Sequence, residues 1–279
     1  MSAMSKLRVR PSGTQGRIHH VTPERAGWTY VGFDVHRLRP GETATGDTRQ
    51  REVCLVLIEG RARVEAGGRE FGAIGERLSP FDGKPWSVYA PAGTSWRVTA
   101  VTELELAVCS APSGGSHTAR LIAPDQVGSE TRGTGTNTRH VANILSESEP
   151  AHSLLVVEVI TPAGNWSSYP PHKHDRDALP EESLLEETYY HRLDPPQGYA
   201  LQRIYTDDRA LDESLVVEDR DVALVPRGYH PVGAPHGYRL YYLNVMAGPK
   251  RTWRFRNDPA HAWLLDAQSS PPRGEGFLP

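Results

Sequence analysis

Apolar residues along this chain fall into short runs separated by turn-forming residues. Residues 51–58 and 153–160 are almost continuously apolar, whereas residues 28–38 largely alternate between apolar and polar side chains. Both patterns are typical of β-strands, which are short and have a side-chain period of two. Strands are predicted over residues 28–38, 51–58, 61–68, 85–90, 96–101, 103–109, 153–160, 187–193, 199–205, 222–225 and 238–246.

The order of these elements repeats after residue 150. The strand at 153–160 corresponds to the one at 28–38, and the strand at 238–246 to the one at 103–109. In both halves a late strand runs into a Pro-x-Gly turn, at 88–93 and at 222–228. We interpret this order as an internal duplication of a β-barrel. The Gly, Ser and Thr-rich segments 112–116 and 128–138 are interpreted as linker, which predicts domains over residues 1–128 and 129–279.

Composition agrees with an all-β chain. The 279 residues include 26 Gly and 23 Pro, which suit many turns between short strands. The net charge is −3 and no basic block occurs, which argues against nucleic-acid binding. No run approaches the roughly 18 apolar residues of a membrane span, and the N-terminus lacks the apolar stretch of a signal peptide. A cytoplasmic protein is predicted, and two stacked barrels suggest a homo-oligomer.

Four potential metal ligands lie in the second half. His172 and His174 are one residue apart, so on an extended strand their side chains point to the same face. Glu187 begins a later strand, and His230 follows the Pro-x-Gly turn. Imidazole and carboxylate ligands together suit Zn, Fe, Mn, Ni or Co. The residues therefore predict a divalent metal without choosing its identity.

The carboxylate ligand has rivals, because residues 175–186 form an inserted loop between His174 and the strand. Glu181, Glu182 and Glu186 all lie in this loop, and we favour Glu187 because it begins the strand.

The first half lacks an equivalent ligand set. Ser95 or Trp96 takes the place of His230, and no His-x-His precedes them. The N-terminal barrel is therefore predicted to carry no metal.

These motifs resemble a known family. Gly-x7-His-x-His followed by Pro-x-Gly-x-His resembles the two signature motifs of cupins, and segments 171–177, 186–192, 226–231 and 241–248 resemble the 5-deoxy-glucuronate isomerases of myo-inositol catabolism. These are related to the 5-keto-4-deoxyuronate isomerases. The resemblance implies an all-β bicupin, with two tandem cupin (double-stranded β-helix or jelly-roll) barrels. It also implies a metal held by His172, His174, Glu187 and His230.

The implied reaction is an aldose–ketose isomerisation that interconverts 5-deoxy-D-glucuronate and 2-deoxy-5-keto-D-gluconate. Strand alternation places Tyr189 and His191 on the face of Glu187, toward the lumen, so both are candidate catalytic residues. His191 is a plausible proton shuttle because histidine ordinarily titrates near neutrality.

The uronate-type substrate carries a carboxylate, which calls for a cation. Arginine pairs with carboxylates in a bidentate manner and lysine acts as a point charge. The nearby candidates are Lys173, Arg192, Arg203 and Arg227. Lys173 and Arg192 alternate away from the ligand face, and Arg203 is the preferred one. Tyr242 on the last strand is expected to line the pocket.

The same ligands allow two other functions. One is a metal-dependent dioxygenase, which would consume oxygen. The other is a sugar-binding module without catalysis, which would show no turnover. The fold alone does not choose among them.

Overall fold

The computed structural model of the protein describes residues 5–115 and 117–267. Its regular structure is almost entirely β-strand, arranged as two similar halves that each contain one large sheet and one four-stranded sheet. The helical segments are α1 (Pro23–Ala26), α2 (Trp263–Ala267) and the 3₁₀ turns Gly135–Asn137 and Pro259–His261. None of the described helices is long and apolar enough to cross a membrane.

The first half contains eleven strands along the chain, most of them within two sheets. They are β1 (Arg8–Val9), β2 (Gly16–Val21), β3 (Gly32–Leu38), β4 (Thr43–Asp47), β5 (Arg51–Glu59), β6 (Ala62–Ala66), β7 (Arg69–Ile74), β8 (Ser87–Ala90), β9 (Ser95–Ala100), β10 (Leu104–Pro112) and β11 (Arg120–Ile122).

The second half contains the remaining fourteen strands. They are β12 (Gly128–Arg132), β13 (Arg139–Leu145), β14 (Leu155–Thr161), β15 (Trp166–Ser167), β16 (His172–Lys173), β17 (Asp175–Ala178), β18 (Glu182–Leu184), β19 (Glu186–Asp194), β20 (Tyr199–Tyr205), β21 (Asp212–Glu218), β22 (Val222–Val225), β23 (Val232–Gly233), β24 (Arg239–Ala247) and β25 (Arg256–Asn257).

The sheet orders confirm the predicted duplication. The first half has β8-β5-β10-β3-β2 within its large sheet, and the second half has β22-β19-β24-β14-β13 in the same relative positions. The four-stranded sheets, β4-β9-β6-β7 and β15-β23-β20-β21, match in the same way. All of these pairings are antiparallel, as expected for jelly-roll barrels.

The burial of each strand follows from its place between the sheets. Strands β6 and β20 alternate between buried and exposed residues because only one of their faces points into a barrel. Strands β5 and β19 are buried on both faces. One of these faces fills its own barrel, and the other packs against the opposite half in a core that includes Phe33, Val56, Tyr190 and Leu243. The interior of the first barrel is filled by apolar side chains such as Leu55, Leu57 and Val98.

A buried ion pair also joins the halves. The Arg77 guanidinium, from the first half, donates to both carboxylate oxygens of Glu158 on β14, with N–O distances of 2.9 Å. The hydroxyl of Tyr241 donates to the same carboxylate at 3.0 Å. Both charges are almost fully buried, so this contact fixes how the two large sheets meet.

Two segments depart from the sequence analysis. The prediction of a linker over 128–138 is wrong, because β12 and β13 form a hairpin at the edge of the second large sheet. Strand β1, from the start of the chain, pairs with β22 in that same sheet. The inserted loop at 175–186 contains a small hairpin of β17 and β18, closed around residues 179–181. Ser116, in the first predicted linker, lies outside the described residues.

Candidate metal centre

Three histidines from separate parts of the second barrel converge on one point. His172 lies on β16, His174 follows it, and His230 follows the turn after β22; all three are buried. One ring nitrogen from each lies within 4.8 Å of the others, an arrangement that could hold a metal ion. The ring of Phe255, with its centroid 4.5 Å from that of His172, covers the group on one side.

Glu187 provides a carboxylate to this group. Its Oε2 atom lies 3.1 Å from Nε2 of His174 and 3.2 Å from Nε2 of His230. Glu187 is the second residue of β19, and the alternation of side chains along the strand directs it toward the lumen. Three imidazoles and one carboxylate fit a divalent transition metal with positions left for substrate.

Backbone carbonyls orient two of the imidazoles. Nδ1–H of His174 donates to the carbonyl of Leu185 at 3.0 Å, and Nδ1–H of His230 donates to the carbonyl of Gly228 at 2.8 Å. These bonds direct Nε2 of each ring toward the carboxylate of Glu187. Such outer hydrogen bonds are what orient metal-binding histidines.

The electrostatics of the group favour an ionised Glu187 and a neutral His172, whereas Glu187 outweighs the effect of burial on His174 and raises the pKa of that imidazole. Burial alone would raise the pKa of Glu187, but hydrogen bonds from His174 and His230 lower that pKa to about 2. Burial, together with the two other histidines, lowers the pKa of His172 well below its ordinary value. A carboxylate and a neutral imidazole are the forms that bind metals.

The rival carboxylates of the inserted loop have other partners. Glu186 points away from the histidines and accepts backbone N–H bonds from residues 29–31. Glu182 pairs with Lys173, and Glu181 is exposed. Among the four candidates, Glu187 is the one whose carboxylate contacts the histidines.

A small cavity, with a volume of about 20 Å³, lies beside His172 and Glu187. It is lined by Arg132, Arg139, Val141, Val159, Ser168, His172, Glu187, Tyr189, Tyr242, Asn244 and Trp253.

Besides His172 and Glu187, two predicted site residues line this cavity, Tyr189 and Tyr242. The hydroxyl of Tyr189 is 2.9 Å from Oγ of Ser168, and the hydroxyl of Tyr242 is hydrogen-bonded to Oγ of Ser167. Burial raises the pKa of both phenols, so both remain protonated. Each can donate a hydrogen bond to an oxygen placed in the cavity.

His191 lies deeper in the barrel and does not line the cavity. Its ring stacks 6.0 Å from that of Tyr189, and Nδ1–H points to the carbonyl of Asp221 at 3.3 Å. Burial lowers the pKa of His191 to about 4, so the ring is neutral near pH 7. The shared strand face predicted from sequence is present, but Tyr189 stands between His191 and the substrate space.

The structure does not bring Arg203 or Lys173 into the cavity. Alternation along β20 points Arg203 outward, where it pairs with Asp212 at 2.7 and 2.8 Å. Lys173 points away from the ligand face, and its ammonium binds Asp175 at 2.6 Å and Glu182 at 2.9 Å. Both cations are therefore committed to neighbouring carboxylates.

The cations that do line the cavity are Arg132 and Arg139, from the β12–β13 hairpin. The sequence does not reveal them, because the Gly and Thr-rich segment before Arg139 is typical of a linker. The signal that could have revealed β13 is the apolar character of Val141, Ile144 and Leu145.

Comparison with known proteins places this site in a family. A model of the KduI/IolB family matches residues 7–264. The 5-deoxy-glucuronate isomerase of Geobacillus thermodenitrificans (strain NG80-2) is 56% identical over 255 residues, covering 91% of this chain and 93% of that protein. The protein of the same name from Bacillus subtilis (strain 168) is 51% identical over 251 residues, covering 89% and 93%.

Solved structures support the fold. An IolB-like protein from Salmonella typhimurium LT2 has 55% sequence identity and a TM-score of 0.92, covering 93% of this chain and 99% of that one. A mutant of Bacillus subtilis oxalate decarboxylase has a TM-score of 0.61 over 92% of this chain and 80% of its own, with 14% identity. The second likeness concerns the fold alone, and together they confirm the predicted all-β, two-barrel cupin architecture.

Proposed function

The chain belongs to the KduI/IolB family, and from this membership we propose that it is a metal-dependent isomerase that converts 5-deoxy-D-glucuronate to 2-deoxy-5-keto-D-gluconate. The observation that carries the proposal is the identity of more than half of all aligned residues with proteins named 5-deoxy-glucuronate isomerase, over about nine-tenths of the chain. These names favour an isomerase over the dioxygenase and the sugar-binding module that the ligand types alone allow.

The metal ligands in this proposal are His172, His174, Glu187 and His230. Their convergence, burial and hydrogen bonding support this assignment. When bound, a divalent metal supplies Lewis acidity that stabilises negative charge on the carbonyl and adjacent hydroxyl oxygens of the sugar. Imidazole and carboxylate donors suit Zn, Mn, Fe, Ni or Co, so we propose a divalent cation without choosing among these metals.

The isomerisation moves one proton from C2 to C1 of the open-chain sugar and a second proton from the C2 hydroxyl oxygen to the C1 oxygen. The aldehyde at C1 becomes a primary alcohol, and the hydroxyl at C2 becomes the ketone. The difficult part is the charge that develops on the two oxygens when the C2 proton leaves. Groups that donate hydrogen bonds to those oxygens therefore accelerate the reaction.

Tyr189 and Tyr242 are the groups we propose for this task. Their hydroxyls face the cavity, remain protonated, and are held by Ser168 and Ser167. A held donor needs no reorientation as the charge develops, and this preorganisation is the source of its effect. Tyr189 also lies close to the metal ligands, with its ring centroid 5.7 Å from that of His230.

His191 has a supporting role in this proposal. Because it lies behind Tyr189 rather than in the cavity, we assign it the positioning of that phenol instead of direct proton transfer to the sugar. Its neutral ring and its bond to the backbone at Asp221 suit a fixed packing partner.

We also propose a cytoplasmic homo-oligomer, in agreement with the sequence analysis. The support is an exposed apolar patch on the outer four-stranded sheet, formed by Trp166, Tyr199, Leu201 and Val216, each at least 40% exposed. Leu201 and Val216 are directly opposite each other on β20 and β21. Contiguous apolar surface of this kind is typical of a subunit interface. Light scattering on the purified protein, compared with a Leu201→Lys variant, tests this assembly.

The isomerase proposal is tested by incubating the protein with 5-deoxy-D-glucuronate in heavy water, before and after chelation, and following the aldehyde proton by NMR. The expected result is metal-dependent loss of the aldehyde signal and formation of a ketone. One solvent deuteron at the new C1 alcohol would report proton exchange through an enediol. A metal-loaded protein without turnover would contradict the proposal, and oxygen consumption with the same sugar would indicate a dioxygenase.

A further inference from the structure

Arg139 lies at the cavity in an unusual electrostatic position. It begins β13, is partly buried, and lines the same space as His172 and Glu187. It makes no ion pair with a carboxylate of the described chain. A buried guanidinium without a counter-charge is costly, because burial removes its hydration.

The other buried arginines show how this protein normally satisfies such a group. Arg77 and Arg192 pair with the buried carboxylates Glu158 and Glu105. Arg251 has no carboxylate within ion-pair reach in residues 5–115 and 117–267 but donates to five backbone carbonyls. Arg139 donates to only two carbonyls, and both bonds come from the same nitrogen, Nη1. Its Nε–H and Nη2–H donors have no acceptor among the described residues.

The position of Arg139 is nevertheless fixed. Nη1 donates to the carbonyls of Asn137 at 3.2 Å and Tyr169 at 3.1 Å, so one edge of the guanidinium is anchored to two backbone segments. Gly133 allows this close packing, since a Cβ atom there would lie 2.9 Å from Nη1 and the residue has a φ of +74°. An anchored cation with free donors is a preorganised receptor for an anion.

A second unused donor lies in the same cavity. The indole Nε1–H of Trp253 is buried and has no acceptor among the described residues, and Trp253 lines the space with Arg139. Arg132, the other cation of the cavity, is already paired with Glu130 at 2.7 Å and stacks over the Trp253 ring. Besides the phenols of Tyr189 and Tyr242, the cavity therefore offers a ligand the unused donors of Arg139 and Trp253.

We propose that Arg139 binds the carboxylate of the sugar acid and is the specificity-determining residue that selects uronates over neutral sugars. This inference rests on the proposed function. A carboxylate on Arg139 leaves the opposite end of the open-chain sugar, which carries C1 and C2, for the metal ligands and Tyr189. The anchor thus determines which end of the substrate reacts.

The test compares Arg139→Gln and Arg139→Lys with the wild type, all metal-loaded, using 5-deoxy-D-glucuronate and its neutral primary amide. The wild type should prefer the acid strongly. In Arg139→Gln, kcat/KM for the acid should fall about 100-fold or more, while kcat/KM for the amide changes little, so the preference collapses. Arg139→Lys should retain an intermediate preference, because it keeps the charge without the bidentate geometry. Arg63→Gln, at an exposed arginine of the first half, is the matched control.

The outcomes separate the inference from the function on which it rests. An active wild type whose Arg139→Gln variant keeps the same acid-to-amide ratio, with unchanged metal content and circular dichroism, would overturn the inference and leave the isomerase intact. An inactive wild type would overturn the function, and calorimetric titration of the acid and the amide would then test the anchor by binding alone. If Arg139→Gln fails to fold, the Arg139→Lys variant provides the test. An acid-to-amide preference as strong in Arg139→Lys as in the wild type would contradict the binding of the carboxylate by Arg139.

Discussion

Glu52 and Glu186 hold matching places in the two halves, and each carboxylate accepts hydrogen bonds from three consecutive backbone N–H groups of the other half. Glu52, at the start of β5, accepts from residues 152–154 at 2.7 to 2.8 Å. Glu186, at the start of β19, accepts from residues 29–31 at 2.6 to 3.0 Å. The duplication therefore extends to the contacts that join the barrels.

Replacing Glu52 with Ala should destabilise the whole chain. The change removes a fully buried carboxylate and leaves the N–H groups of residues 152–154 and the hydroxyl of Tyr89 without their acceptor. Unsatisfied buried donors cost about 1–3 kcal/mol each, with partial relief by water, so we expect a loss of about 3 to 5 kcal/mol in the free energy of unfolding. Urea denaturation followed by circular dichroism measures this loss in the free energy of unfolding.

Glu65→Ala is the control for this change, because Glu65 is an exposed carboxylate on β6. It should alter the free energy of unfolding by less than about 0.5 kcal/mol. Equal effects of the two substitutions would show that Glu52 does not hold the halves together. Metal content should be unchanged in both variants, since neither residue lies near His172, His174 or His230.

His174→Ala should abolish stable metal binding. It removes one imidazole ligand and the bond to Leu185 that orients it. Even the loss of an outer partner weakens metal sites about 10 to 100-fold, and the loss of a ligand should exceed this. Metal content after dialysis and chelator competition measure the affinity, and the rise in melting temperature on adding metal should disappear with it.

His236→Ala provides the matched control, because His236 is an exposed histidine of the same half. Its metal content and its melting temperature should equal those of the wild type. Full metal binding by His174→Ala would exclude His174 from the ligand set. The ligands would then be sought among His172, Glu187 and His230.

The sequence predicted the parts of the site that short motifs encode and missed the parts that depend on tertiary arrangement. The proposed ligands His172 and His230 stand in fixed relation to turns and strands, so local spacing predicts them. The sequence favours Arg203 as the cation for the substrate carboxylate because Lys173 and Arg192 alternate away from the ligand face, but the facing of β20 depends on which side of the sheet the barrel core occupies. Arg139 reaches the cavity only through pairing of β13 with β14, a contact that no local pattern specifies.

Tyr189→Phe should reduce kcat much more than His191→Asn. The first change removes a hydroxyl that faces the cavity, and the loss of one preorganised donor to a developing oxyanion typically costs about 100-fold or more. The second leaves the cavity lining intact, so we expect less than about a tenfold decrease. Steady-state kinetics on metal-loaded variants measure both effects. The reverse order of severity would restore His191 as the direct proton shuttle that the sequence suggested.

The buried His191 should make the stability of the protein depend on pH. Burial lowers the pKa of His191 to about 4 in the folded chain, whereas a histidine in the unfolded chain titrates near its ordinary value of 6.5. Between pH 4 and pH 6.5 the unfolded chain binds more protons at this histidine than the folded chain does. The contribution of His191 to the free energy of unfolding is therefore fully present above pH 6.5 and is lost as the pH falls toward 4. The shift corresponds to about 3 kcal/mol.

Urea denaturation of chelator-treated wild type and His191→Asn at several pH values isolates the effect of His191 on stability, because the contributions of the other titrating groups cancel in the difference. The stability advantage of the wild type should grow by this amount from pH 4 to pH 7, and a difference that stays constant with pH would mean that His191 is not held neutral by burial.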